Sequence, residues 1–167
     1  YRFIIIPETI GAIAYLHQNM AEMKNVDGGF VVSTVAGSGK FGYKHSFLKN
    51  CVVDRAARQA LKEKNFIEFD FVPDGSDERQ YSSPGFRIPV GTITKDKYYT
   101  YNEYHTSRDN LSFISAENLY NTLELYIKAI QNLELNRTFK RTNDHCEYRL
   151  GKYGLYPNTG GAIQQPA

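Results

Sequence analysis

The sequence contains no tryptophan, only two cysteines and no long apolar run. A helix that crosses a bilayer needs about 20 apolar residues, and the opening run YRFIII is too short and lacks the flanks of a signal peptide. Cys51 and Cys146 are too far apart in sequence for a metal-binding pair, and Cys51, at a predicted helix start, is expected to be buried and reduced. These scarcities predict a cytoplasmic protein without a membrane segment.

An excess of charge of one sign is also missing. The 20 basic and 18 acidic residues are mixed along the chain and give a net charge of +2. A nucleic-acid-binding protein would carry a basic face, so no nucleic-acid partner is predicted. The 167 residues, 41% of them hydrophobic, suffice for one globular domain with its own core, and they leave a homo-oligomer open.

Patterns of apolar residues predict alternating strands and helices. The run 2–6 predicts a buried strand that Pro7 stops, and Thr9 is a suitable N-cap for a helix over 9–20. Apolar residues at helical spacing predict a helix over 51–64 and a longer one that Ser115 caps. The core stripe of the longer helix is expected at Leu119, Leu123, Ile127 and Ile130. Further strands are predicted at 29–37, 43–47, 66–72 and 86–94.

This order of elements predicts the α/β class, as a three-layer α/β/α sandwich with helices on both faces of a mostly parallel, mixed sheet. Ligands of such sheets bind at the carboxyl ends of the strands. Three polar clusters follow predicted strands: Glu8, the loop 74–81 and the loop that holds His105. They are expected to converge at one edge of the sheet.

The segment GSGKFG, residues 37–42, matches the glycine spacing of a dinucleotide-binding turn. In that motif a helix opens within the turn and points its N-terminus at the pyrophosphate. Here the predicted helix begins about ten residues later, near Cys51, and Phe41 stands where a P-loop needs Ser or Thr. A glycine hairpin is therefore the preferred interpretation.

The polar clusters have ordinary explanations beside functional ones. Glu8 suits the first turn of a helix, where the helix dipole favours a carboxylate. Turn chemistry accounts for Asp74-Gly75, yet Arg79 in the same long loop is able to hold a substrate carboxylate with two hydrogen bonds. His105 with Asp109 fits a structural histidine or a metal-bound imidazole that donates its second N–H to a carboxylate. The residues alone leave these alternatives open.

Three segments, RFIIIPETIGAIAYL, GSDERQYSSPGFRIPVG and EYHTSRDNLSFI, occur in this order. Together they resemble the aminopeptidase-like proteins found with bacterial polysaccharide-biosynthesis genes, which are similar to zinc aminopeptidases with a three-layer α/β/α catalytic domain. The likeness covers nearly the whole chain. It implies that residues 1–140 are part of a catalytic domain. It also implies that 141–167, with CEYRLGKYGLYP, form a linker or tail toward a C-terminal domain.

The resemblance implies roles for individual residues. PETIG is similar to the clan's strand-end Glu-Glu-x-Gly, which makes Glu8 the expected general base. EYHTSRDN is similar to the clan's late His-Thr-x-x-Asp, which makes His105 a zinc ligand and Asp109 its hydrogen-bonding support. Where the clan has two further carboxylate ligands this sequence has Thr9 and Thr34. One zinc ion is therefore expected instead of two, because threonine is a poor zinc ligand.

The loop with Asp77, Glu78, Arg79 and Tyr81 resembles the substrate pocket of that clan. Asp77, Arg79 and Tyr81 are its expected contacts to a peptide, aminoacyl or amide substrate, and Asp77 or Glu78 would receive an α-ammonium group. Zinc would lower the pKa of its bound water toward about 7, and the general base would take the proton before the carbonyl is attacked.

The remaining zinc ligands, a His and an Asp, are expected upstream of Tyr1, so the chain alone is expected to be inactive. Two functions stay open for the complete protein. One is a single-zinc aminopeptidase or amidase. The other is a non-catalytic relative that serves as a binding or scaffold module in polysaccharide assembly.

Overall fold

In the computed structural model, the described residues are 1–73, 75–137, 139–143 and 145–155. The chain divides into two compact units, Tyr1–Arg137 and Thr138–Ala167. The second unit contains a 3-10 helix at Leu150–Tyr153, and the predicted tail lies outside the described residues from position 156 onward. In the part of the chain that is described, no helix combines the length and the apolar character needed to span a membrane.

The first unit holds a sheet and several helices. The helices are α1 (Ile10–Gln18), α2 (Met20–Met23), α3 (Val52–Leu61), α4 (Glu78–Tyr81) and α5 (Ala116–Leu135). The strands are β1 (Gly29–Val31), β2 (Phe41–Lys44), β3 (Phe66–Phe69) and β4 (Val90–Thr94). Each of the four strands predicted after residue 27 overlaps one of these strands. β1, β3 and β4 are shorter than predicted, and β2 begins two residues earlier than predicted.

The sheet has the strand order β1-β4-β2-β3. β1 runs parallel to β4 and β2 parallel to β3, whereas β2 and β4 are antiparallel, with Tyr43 opposite Ile93. The prediction of a mixed, mostly parallel sheet is confirmed.

Alternate residues of β4 point to opposite faces of the sheet and so define the layers. Ile93 packs in a core cluster with Leu61 of α3 and Leu125 of α5, while Val90 packs in a second cluster with Leu16 of α1. Helices therefore cover both faces, as the predicted three-layer sandwich requires.

Helix α3 follows its sequence pattern closely. The residues of its predicted apolar face are buried, apart from a half-buried Val52: Val53, Ala56, Ala57, Ala60 and Leu61. Cys51 is the N-cap, half-buried and with a free thiol, and the carboxylate of Asp54 accepts hydrogen bonds from its N–H and its thiol, both at 3.0 Å. This reciprocal capping fixes where the helix begins.

Helix α5 begins as predicted but buries a different face. Ser115 accepts a hydrogen bond from the Asn118 N–H at 3.1 Å, which confirms the cap. The predicted stripe was wrong, because Leu119, Leu123 and Ile127 are each about half exposed. The buried residues of the helix are Thr122, Leu125, Tyr126 and Ala129.

Hydrogen bonding explains this choice of face. The Tyr126 hydroxyl accepts the N–H of Ile93 at 3.1 Å and lies 2.8 Å from the Val31 carbonyl, and Thr122 Oγ1 donates to the Val35 carbonyl at 2.7 Å. A leucine stripe against the sheet would leave these backbone groups without partners, which costs free energy.

The predicted strand at 2–6 was also wrong. The segment is irregular and pairs with no strand among the described residues, and Phe3 and Ile5 are 85% and 99% exposed. An apolar run becomes a strand only where an adjacent strand satisfies its backbone groups. Thr9 does not cap α1 either, because its side chain makes no capping hydrogen bond.

Candidate active site

One cavity of about 640 Å³ collects most of the residues predicted to be functional. Its walls come from the turn before α1, the segment after β1, helix α4 and the long loop between β4 and α5. The predicted residues among its walls are Glu8, Arg79, His105 and Asp109, together with Thr9 and Thr34. The sequence-based expectation that these segments converge is therefore met.

The turn that carries Glu8 is held in place by two side chains at the start of helix α4. Thr9 has a φ of 60°, a conformation that β-branched residues rarely adopt. Its N–H donates to Asp77 Oδ1 at 2.7 Å, and its hydroxyl accepts a hydrogen bond from Arg79 at 3.1 Å. Two side chains from one loop thus hold the strained residue beside Glu8, whose own side chain is exposed at the cavity.

Helix α4 is joined to strand β2 by a buried ion pair. Lys44 Nζ of β2 lies 2.5 Å from Glu78 Oε1, and both side chains are 1% exposed. The Lys44 ammonium also lies 5.4 Å from the centre of the Tyr98 ring. Burial alone would lower the pKa of Lys44, but its hydrogen bonds to Glu78 and Tyr98 outweigh this and raise it.

The structure therefore revises the predicted substrate contacts. Glu78 is paired inside the protein, and Tyr81 is 9% exposed in the core cluster beneath α1, so neither lines the cavity. Asp77 holds the backbone of Thr9, and burial raises its pKa. Arg79 alone of the four lines the cavity.

The loop that carries His105 packs through aromatic rings. His105 stacks on Tyr104 with ring centres 4.0 Å apart, and Tyr101 stacks on Phe113 at 5.4 Å. Burial, followed by the neighbouring Tyr99 and Glu8, raises the pKa of Tyr104 to about 12. The phenol therefore stays protonated near Glu8 at physiological pH.

His105 and Asp109 are both exposed at the cavity. The loop between them is fixed by local bonds, since Thr106 Oγ1 donates to the Glu103 carbonyl at 2.8 Å and the Asp109 N–H to the Thr106 carbonyl at 3.1 Å. His105 has a φ of 56°, another left-handed position at this cavity. Its imidazole is available to an ion or a substrate.

Sequence reasoning missed Asp96, which follows β4 and lines the same cavity. It is 8% exposed, its Oδ2 has no hydrogen-bond partner among the described residues, and burial raises its pKa. Gly37 and Gly39 lie so close that a Cβ on either would be 1.9 Å from an Asp96 oxygen. The glycines of GSGKFG thus make room for a carboxylate, and an aspartate two residues after the end of a strand was the available signal.

Zinc is the metal that the resemblance implies, and the donors in this chain make only part of a site for it. No three or more His, Cys, Asp and Glu side chains are arranged to hold a metal ion anywhere in the described ranges. His105 is the donor at the cavity that zinc prefers, and a complete site needs about three protein ligands.

Comparison with known proteins identifies the family of this chain and structures with a similar fold. The model of a family described as a domain of unknown function, DUF4910, matches residues 1–136. The chain belongs to this family. A relative from Clostridium acetobutylicum, named "Putative polysaccharide biosynthesis protein with aminopeptidase-like domain", is 38% identical over 168 residues. The match covers 99% of this chain but only 38% of that protein.

Solved structures show the same fold. A crystal structure of a "putative peptidase" from Clostridium acetobutylicum has a TM-score of 0.76 and 36% identity, over 87% of this chain and 35% of that one. An aminopeptidase from Aneurinibacillus sp. strain AM-1 has a TM-score of 0.62 at 21% identity, covering 74% of this chain and 30% of that one. A zinc aminopeptidase from Bacillus subtilis has a TM-score of 0.60 at 19% identity, covering 72% and 32%.

These findings confirm the predicted resemblance to aminopeptidase-like proteins and the aminopeptidase-like α/β fold of this DUF4910 chain. The two aminopeptidases are only 21% and 19% identical in sequence to this chain, so their similarity shows the fold alone. The chain spans about a third of the length of the proteins that it matches.

Proposed function

We propose that this chain contributes the general base and one metal ligand to a zinc-dependent hydrolase of the aminopeptidase type. The observation that carries the proposal is a cavity that brings Glu8 together with His105 and Asp109, which lie about 100 positions later in the chain. The names of the relatives and the aminopeptidase-like fold support it.

In this mechanism Glu8 accepts a proton from the water that attacks the peptide or amide carbonyl, and later returns it to the leaving amine. The hydrogen bonds from Asp77 and Arg79 to Thr9 hold the turn in which the Glu8 carboxylate lies at the cavity. His105 would hold zinc together with ligands from outside the described residues, and Asp109 would orient the imidazole. Zinc, when bound, supplies Lewis acidity at the carbonyl and at water.

The protonated Tyr104 stacks on His105 and lines the cavity together with Glu8. It is therefore placed to donate a hydrogen bond to an oxygen that becomes negative during the attack. The substrate would be a peptide or another aminoacyl amide.

The test is zinc content per chain, measured by elemental mass spectrometry, with hydrolysis of aminoacyl-p-nitroanilides by the full-length protein. We expect about one zinc, lost in His105→Ala and retained in His17→Ala, a matched control on the exposed surface of α1. Glu8→Gln should keep the metal and lose about 100-fold or more in kcat, whereas Glu63→Gln should not.

Metal loss in His17→Ala but not in His105→Ala would refute the assignment of the ligand. Full activity of Glu8→Gln would refute the assignment of the base. A metal-free, inactive wild-type protein would favour the binding or scaffold module that the sequence leaves open.

A further inference from the structure

Arg79 is a cavity-lining residue whose guanidinium forms no ion pair among the described residues. Its guanidinium donates to the neutral hydroxyl of Thr9 at 3.1 Å, and its buried Nε has no acceptor among the described residues. In the same part of the chain, no carboxylate forms a salt bridge with it. Of the two adjacent carboxylates, Glu78 is paired with Lys44 and Asp77 accepts the Thr9 N–H.

A half-buried guanidinium with one hydrogen bond is incompletely satisfied. Its five N–H groups form a planar fork that matches a carboxylate with two parallel bonds. The loss of hydration that burial imposes on Arg79 would be recovered by an anion that enters the cavity. A threonine hydroxyl at position 9 provides no charge to compete with that anion.

The position of Arg79 fixes where the anion would lie. Arg79 contacts Thr9, the residue after Glu8, and Arg79 and Glu8 both line this cavity. A carboxylate held here would therefore lie close to the bond that Glu8 helps to break. A dipeptide places the free carboxylate of its leaving amino acid this near to its scissile amide.

We propose that Arg79 is an anion subsite and that it selects dipeptide-like substrates whose leaving amino acid carries a free carboxylate. This inference rests on the proposed hydrolase function. The cavity is suited to a zwitterion, because the Asp96 carboxylate lines it together with Arg79. This carboxylate would favour the ammonium end of the dipeptide, and the guanidinium its carboxylate end.

The experiment compares Ala-Ala with Ala-alaninamide as substrates of the full-length, metal-loaded protein. The wild type should prefer the free carboxylate in kcat/KM by about 10- to 100-fold, the range of a hydrogen bond to a charged group. Arg79→Gln should hydrolyse both substrates at the rate of the amide, and Arg79→Lys should keep part of the preference. Arg55→Gln, on the exposed face of α3, is the matched control and should behave as the wild type.

A second measurement does not depend on hydrolysis. N-acetylalanine should raise the melting temperature of the wild type and of Arg55→Gln but not of Arg79→Gln, and N-acetylalaninamide should raise none of them. If this pattern appears in a protein that cleaves neither peptide, the anion subsite stands and the hydrolase proposal fails.

Two outcomes would overturn the inference while leaving the hydrolase proposal intact. The first is a wild-type protein that cleaves both dipeptides equally well, a result that needs no variant. The second is an Arg79→Gln protein that loses activity equally on both substrates, which would limit Arg79 to holding the Thr9 turn.

Discussion

The buried pair of Lys44 and Glu78 gives a sharp test of how the candidate site is supported. Lys44→Met removes the ammonium but keeps most of the aliphatic volume, so that the Glu78 carboxylate stays buried without its partner. Both side chains are 1% exposed and their charged atoms are 2.5 Å apart. Glu78 begins the short helix whose neighbours Asp77 and Arg79 hold Thr9.

Removing one partner of a buried pair costs about 3–5 kcal/mol of unfolding free energy. For a protein of this size, about 1 kcal/mol corresponds to about 2–4 °C, so the melting temperature should fall by about 6–20 °C. Thermal and urea unfolding, followed by circular dichroism, measure the change. The double variant with Glu78→Leu should recover much of the loss, because an apolar pair of similar volume has no charge to desolvate.

Lys49→Met is the matched control. Lys49 pairs with Asp70 at 3.0 Å, but these side chains are 60% and 64% exposed, so its loss should change stability by less than about 1 kcal/mol. If Lys44→Met were as mild as Lys49→Met, or if the effects of Lys44→Met and Glu78→Leu were additive, the pair would not support α4 in the way described.

Two further predictions concern carboxylates inside the protein. Burial would raise the pKa of Asp54, but hydrogen bonds from Ser46, Cys51 and Tyr43 outweigh it and lower the pKa, so its stabilisation is complete above the unfolded value of about 4. The stability gap between the wild type and Asp54→Asn, measured by urea unfolding, should therefore shrink as the pH falls below about 4, and a gap independent of pH would contradict this. Gly37→Ala should destabilise by about 1–3 kcal/mol, because its Cβ would be 1.9 Å from an Asp96 oxygen, whereas Gly85→Ala, in open space, should be neutral in the same assay.

The sequence predicted those elements well whose structure depends mainly on residues close together in the chain. Helix α3 was predicted closely because its apolar residues recur at helical spacing. In α5 the same spacing pointed to the wrong face. Leu119, Leu123 and Ile127 form an apolar stripe, but the face with Tyr126 provides hydrogen-bonding groups for Ile93 and Val31. Apolar periodicity records hydrophobicity and does not record which backbone groups of a distant strand need partners.

The segment 2–6 shows a related limit. Its β-branched and aromatic residues are typical of a buried strand, yet Ile5 is 99% exposed, because strand formation depends on a neighbour that local sequence does not specify. Composition indicates which segments are able to pair, and topology decides which of them do.

The candidate site was predictable to the extent that strand order brings distant segments together. Glu8, His105 and Asp109 were found through motif resemblance, and the fold places all three at one cavity. The roles of neighbouring carboxylates were not predictable, because each depends on a partner far away in sequence. Glu78 was predicted to contact the substrate, but in the structure it accepts a hydrogen bond from Lys44, which lies 34 residues earlier in the chain.

Asp96 shows the converse. It follows a strand without any motif, and only the approach of Gly37 and Gly39 makes it a buried carboxylate at the cavity. The same long-range pairing leaves Arg79 with a neutral threonine as its partner. The charged side chains that a site presents to a substrate are therefore those that the fold leaves without an ion pair. The local sequence DERQY does not show which of its charged residues these are.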